Sequence, residues 1–169
     1  MSDVYELATW QWLPRPRPEV FAFFADARNL ERITPAFLHF HVLSASPLEM
    51  RAGTVIDYRL RLRGLPLRWQ SEITTWEPPH RFADVQRRGP YRQWDHTHTF
   101  EEVDGGTMVR DRVLYRLHGP DFLTRIINGA LVAPDTKRIF EFRHHALDEC
   151  LNLAGQSRSG PVTLVRRRL

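Results

Sequence analysis

The chain has 169 residues, 42% hydrophobic and 26% charged, with 12 Pro, 9 Gly and 1 Cys. That length makes one domain burying about 70% of its unfolded surface; the apolar share excludes disorder as the default, and the lone Cys150 excludes internal disulfides and Cys-rich metal sites. The net charge of +4 is built from arginine, since Lys137 is the only lysine, and Arg166, Arg167 and Arg168 crowd into the last four residues.

No run approaches the roughly 20 apolar residues of a bilayer span; the longest, Ala130 to Ala133, ends at Pro134. The first ten residues carry no basic stretch ahead of an apolar core, so they do not read as a secretory signal. A cytoplasmic protein without a transmembrane segment is expected. Arg59, Arg61 and Arg63 alternate with Leu60 and Leu62, the pattern of a solvated strand face, whereas nucleic acid would ask for a basic stripe with interleaved aromatics. No nucleic-acid partner is expected.

In chain order, Val4 to Leu13 reads as a first strand, ended by Pro14, Pro16 and Pro18. Glu19 to Asp26 is a short helix with Pro18 in its first turn, and Arg28 to Ile33 is a second helical turn closed by Thr34-Pro35. Phe37 to Leu43 is a candidate strand. Thr54 to Arg63 alternates cleanly, with Ile56, Tyr58, Leu60 and Leu62 on one face. Gly64-Leu65-Pro66 turns the chain into Leu67 to Trp76, and strands follow over Arg81 to Arg87 and Tyr91 to Glu102. Asp104-Gly105-Gly106 is a hairpin signal leading into Thr107 to His118. Asp121 to Leu131 and Asp135 to Leu153 are helical, the second with Ile139, Phe142, Ala146, Cys150 and Leu153 in helical spacing, and Pro134 is expected to kink or interrupt them.

The order predicts an α+β helix-grip layout: a curved antiparallel sheet of about six to seven strands around a long C-terminal helix, with two short helices after the first strand. Residues 1–155 form the domain, and residues 156–169 are expected to be a basic, flexible tail in weak contact with anionic membrane. A cavity between sheet and helix is the expected seat of function.

Strand parity selects the inward polar residues. Asp111 shares a face with Val109, Val113 and Tyr115; His96 and His98 share one with Trp94 and Phe100; Phe82, placed inward, brings Asp84 and Gln86 with it. A buried aspartate must be paired or protonated, and His96 or His98 is the obvious partner. Such a cluster pins strand register, orients the polar end of a ligand, or works as an acid/base pair. Tyr58, Leu60, Trp69, Trp94 and Phe122 are the expected apolar wall of the pocket. His96-Thr97-His98 followed by Glu101 and Glu102 partly matches the first metal motif of cupins, but no second motif follows, and no metal is expected. A phosphate loop, a dinucleotide fingerprint and a Gly-x-Ser-x-Gly elbow are all missing from the sequence, so no cofactor is expected.

The segments Phe21 to Pro35, Arg81 to Gln86, Gly89-Pro90-Tyr91, Trp94 to Phe100 and Gly105 to Tyr115 resemble the SRPBCC superfamily, the START-like helix-grip group that includes polyketide cyclase/dehydrase-type domains. The resemblance spans residues 4 to 153. It implies an apolar cavity under the C-terminal helix and a small hydrophobic ligand such as a lipid, polyketide or quinone, bound by a monomer or homodimer. Two rivals stay open: a cyclase or dehydratase with His96 or His98 as base and Asp111 orienting it, and a partner-binding regulatory module marked by an exposed apolar patch.

Overall fold

The computed structural model describes residues 3–45 and 47–168. Strand β1 (Asp3–Leu13) leads into helices α1 (Arg17–Ala25) and α2 (Asn29–Arg32), a 3₁₀ turn (Ala36–Leu38) and the short strand β2 (His41–Val42). Strands β3 (Val55–Leu62), β4 (Leu65–Glu77), β5 (Arg81–Arg88), β6 (Gln93–Val103) and β7 (Gly106–Arg116) then pair antiparallel in succession. Helix α3 (Asp121–Ile127) runs through a π-helical turn (Asn128–Val132) into α4 (Ala133–Cys150), and β8 (Arg158–Ser159) and β9 (Thr163–Arg168) follow. The sheet has nine strands in the order β2-β3-β4-β5-β6-β7-β1-β8, with β9 also on β1. The fold is α+β and helix-grip.

Turn chemistry places the strands. Arg63 and Gly64 both have positive φ, as do Asp104 and Gly105, which is the backbone of the two-residue hairpin whose twist matches its strands. Leu62 therefore faces Leu65, and Val103 faces Gly106, so each turn is one residue tighter than the sequence suggested. Register shifts in β4 between Gln70 and Ser71 and between Ile73 and Thr75 bend the sheet as bulges do. The expected strand over Phe37 to Leu43 is mostly absent: His39 is left-handed at φ 43°, and only His41 and Val42 pair with β3.

One face of the sheet is apolar and covered. Val20 and Phe21 of α1 pack on Leu13, Phe82, Phe100 and Val109, each such side chain contributing about 1.5–3 kcal/mol by leaving water. Phe140 of α4 packs on Tyr5, Leu7, Val113 and Tyr115. The phase of α4 differs from the expected one: Thr136, Phe140, Arg143, Ala146 and Leu147 are buried, while Phe142 is 38% exposed. The interruption expected at Pro134 takes the form of the π turn just before it. A proline ring crowds the carbonyl four residues back, and the wider turn lets the chain stay helical.

The C-terminal segment is no loose tail. Residues 163–168 form β9 along β1, with Leu164 opposite Leu7 and Arg166 opposite Tyr5. Arg166 Nη1 lies 3.6 Å from Asp3 and Arg167 Nε 2.7 Å from Glu6. The open edge of β1 offers unpaired backbone groups, and its acidic residues supply the counter-charges the arginines need. Among the described residues, no helix is long and apolar enough to cross a membrane.

Candidate functional site

The inward faces of β5, β6 and β7 lie side by side, and their register brings four polar groups together. Asp84 is directly opposite His96, and His98 opposite Asp111. Asp111 Oδ1 accepts a hydrogen bond from His96 Nε2 at 3.1 Å and lies 2.6 Å from His98 Nδ1. On the other side of His96, Nδ1 is 3.9 Å from Asp84 Oδ2. His96, His98 and Asp111 are all buried. The walls around them are aromatic: Phe82 stacks on His98 at 4.3 Å between centroids, and Phe140 meets His96 edge-on at 5.6 Å.

This cluster closes one side of a cavity of about 200 Å³ between the curved sheet, α1–α2 and α4. Tyr58, Leu60, Trp69 and Trp94 line it, as do Asp84, His96 and His98. Three expected residues lie elsewhere. Asp111 stands behind the imidazoles, off the cavity wall. Gln86 is turned onto its own loop, where Nε2 donates to Tyr91 O at 2.7 Å and Oε1 accepts from Tyr91 N at 3.2 Å. Phe122 is 69% exposed on α3, on the helix face turned away from the sheet.

Other lining residues were not read from the sequence. Phe23, Phe24, Leu30 and Ile33 come from α1–α2 and the residue after them. Arg143 comes from the middle of α4 and is 6% exposed. Its signal is there in hindsight: Thr136, Phe140, Arg143 and Leu147 form an i, i+4, i+7, i+11 stripe, in which an arginine stands where an apolar residue belongs. Phe142, an aromatic one step away, imitates the stripe and hides it.

The electrostatics divide the two carboxylates. Burial alone would raise Asp111, but His98 and His96 around it outweigh burial and hold its carboxyl well below the ordinary range. Asp84 goes the other way: burial pushes it up, only partly offset by His96, a hydrogen bond from Ser71 and the charge of Arg143. Burial, reinforced by His98, pushes His96 down, with Asp111 pulling back. An ionised Asp111 accepting from His96 Nε2 puts that imidazole's proton on Nε2 and leaves its Nδ1 as the basic nitrogen.

That arrangement can hold a proton, accept or donate hydrogen bonds to a ligand's polar end, or bind a cation. Asp84, His96 and His98 each bring a donor atom within 4.8 Å of the others, the composition of a two-histidine, one-carboxylate metal set, with Asp111 as the carboxylate behind the imidazoles. The buried Arg143 charge in the same chamber weighs against a dication there.

Comparison with known proteins agrees with the fold. The TTHA0849 protein of Thermus thermophilus superposes with a TM-score of 0.65 at 19% identity, over 86% of this chain and 98% of its own. Ara h 8.0201 gives 0.57 at 15%, over 86% and 99%. A nucleoside-diphosphate sugar epimerase of Corynebacterium glutamicum gives 0.60 at 22%, over 88% of this chain but 30% of its own, so there a domain of this shape is part of a longer chain. No curated protein matches the sequence. The sequence pattern of the family described as "Polyketide cyclase / dehydrase and lipid transport" matches residues 13–140; with the curved sheet gripping α4, this establishes that the chain belongs to that family, within the SRPBCC superfamily.

Proposed function

We propose that the chain binds a small hydrophobic molecule in the cavity under α4, with the ligand's polar end at the Asp84, His96 and His98 corner. The observation that carries this reading is a cavity walled mostly by apolar and aromatic side chains, with Asp84 and the buried His96 and His98 together on one side of it. The family description, which joins polyketide cyclases with lipid transport, points to the same class of ligand. Exposing the purified protein to a lipid extract is expected to leave a bound species visible by native mass spectrometry. Binding is also expected to quench Trp69 and Trp94, which line the cavity 5.4 Å apart. No retained species, together with no uptake of an apolar dye, would sink the proposal.

A second reading rests on the imidazoles themselves. Both line the cavity rather than being walled off from it, and Asp111 behind them is placed to orient a general base. On this reading the protein turns over its ligand as a cyclase or dehydratase does. Replacing His98 by Gln, which keeps a hydrogen-bonding group at the corner, is then expected to abolish product formation, followed by mass spectrometry, while weakening ligand binding far less; unaltered ligand after prolonged incubation with the wild type would rule it out.

A further inference from the structure

Arg143 is not accounted for by a purely hydrophobic ligand. It is 6% exposed and lies on the cavity wall. Its Nε has no hydrogen-bond partner, and among the described residues no carboxylate comes within the 4.0 Å of an ion pair. The guanidinium carbon instead lies 4.7 Å from the centre of the Phe140 ring. The nearby acids are engaged elsewhere: Asp111 by both imidazoles, Asp84 by His96 and Ser71. A guanidinium keeps its proton and offers five donors in a planar fork. A buried one left without an acceptor is a standing cost to the fold, and a ligand that supplies the acceptor removes it.

A second observation concerns approach. Beside the cavity, and sharing Leu60 and Leu67 with it, a surface groove carries Arg59, Arg61 and Arg68 together with His39 and His41. None of the three arginines has an acceptor among the described residues; they stand on the solvated face of β3 and β4, across the sheet from the cavity-lining Leu60 and Leu67, and their unneutralised charge favours an anion at long range.

We infer that the ligand is an anion-headed amphiphile, with an apolar body of one or two rings or a medium acyl chain and a carboxylate or equivalent oxyanion seated against Arg143. The size follows from the volume: an apolar cavity of about 150 Å³ takes a benzene, and this one is about 200 Å³ with a polar corner besides. The fork of Arg143 matches two carboxylate oxygens at once. Asp84 opposes the head less than a free carboxylate would, since His96 Nδ1 lies 3.9 Å from it and burial pushes its carboxyl up. The inference rests on the cavity-binding reading above and narrows it to a chemical class.

The test uses matched pairs that differ only in the head: 2-naphthoate against 2-naphthalenemethanol, and decanoate against decanol, titrated by calorimetry and tryptophan quenching. The acids are expected to bind at least about tenfold more tightly than the alcohols, the discrimination of a site built around a charged hydrogen bond. Arg143→Met is expected to erase that ratio while leaving the alcohols' affinity within about twofold, and Arg143→Lys to retain part of it. The ligand-free melting temperature of Arg143→Met is expected to hold or rise, since an unpaired buried charge has been removed; a fall of many degrees would mark Arg143 as a structural residue and overturn the inference. Equal binding of acids and alcohols by the wild type, which needs no variant to fold, would also overturn it while leaving the cavity reading intact. No binding of any of the four compounds would overturn both.

Discussion

Two carboxylates a few ångströms from the same imidazole answer pH in opposite senses. Asp111, with its native value held well below the ordinary 3.8, contributes stability that is present above 3.8 and is lost as pH falls through the native value. Removing its charge with Asp111→Asn leaves two buried imidazoles short of an acceptor and is expected to cost about 3–5 kcal/mol at pH 7, as breaking a buried pair does. Asp84, with its native value above 3.8, favours the folded state only while protonated, and that contribution disappears as pH rises through the native value. Asp84→Asn, which imitates the protonated form, is therefore expected to stabilise the protein at pH 7. That gain should shrink as pH falls through the raised native value and be gone below 3.8. Urea midpoints at pH 7 and at descending pH separate the two; a destabilised Asp84→Asn at pH 7 would refute the assignment.

At the level of elements, period-2 alternation was enough to place the inward faces of β3, β6 and β7, whereas on β5, where Phe82, Asp84 and Gln86 compete with Ala83 and Val85, it took Phe82 as the inward residue to bring Asp84 to the cavity. Helix phase was harder. Arg143 breaks the apolar stripe of α4 and Phe142 offers a false one, so the cavity's helical wall could not be read by hydrophobicity alone. The α1–α2 wall escaped for another reason: Phe21, Phe23 and Phe24 surround the helix, and only packing decides that Phe21 joins the sheet core while Phe23 and Phe24 line the cavity. β9 was illegible because its partner is at the other end of the chain and Thr163 to Arg168 does not alternate. The strand makes its own prediction. Deleting residues 161–169 removes Val162, 7% exposed, and Leu164 from the β1 cluster, about 1.5–3 kcal/mol for a fully buried side chain. It also strips the β1 edge. The melting temperature is expected to fall by roughly 5–10 °C, with concentration-dependent association in size-exclusion chromatography. An unchanged melt would mean that the strand is dispensable.

Seen whole, the molecule wears its arginines in two ways. Arg110, Arg112, Arg125 and Arg167 face acids across strands and loops, pairs that are worth little individually at an exposed surface. Among the described residues, Arg59, Arg61 and Arg68 pair with no acid, and they gather on the outer face of β3 and β4, where their charge acts on encounter rather than on stability. Arg59→Glu combined with Arg61→Glu is expected to slow association of 2-naphthoate several-fold at low ionic strength, with little change in dissociation. The two proteins should converge near 1 M salt, where charges are screened beyond about 3 Å. A stopped-flow salt series reads this directly, and equal association rates at low salt would show that these arginines do not steer the ligand.

The π turn between α3 and α4 makes this stretch sensitive to residue count and tolerant of residue type. Tyr115 donates to Asn128 Oδ1 at 2.7 Å in the buried interior, while Phe122 and Ile126 face outward. One residue fewer would close the turn to an ordinary helix and rotate everything before it by about 100°, pulling Asn128 off its tyrosine and driving the apolar face of α3 onto a different neighbour. Nothing lies within 4 Å of a methyl group built at Gly129. Gly129→Ala should therefore melt no lower than the parent, given alanine's higher helix propensity, whereas deletion of Gly129 should lower the melt sharply. In this segment spacing is the constraint, and a relative of different length here would present a different face of the same helix to the outside.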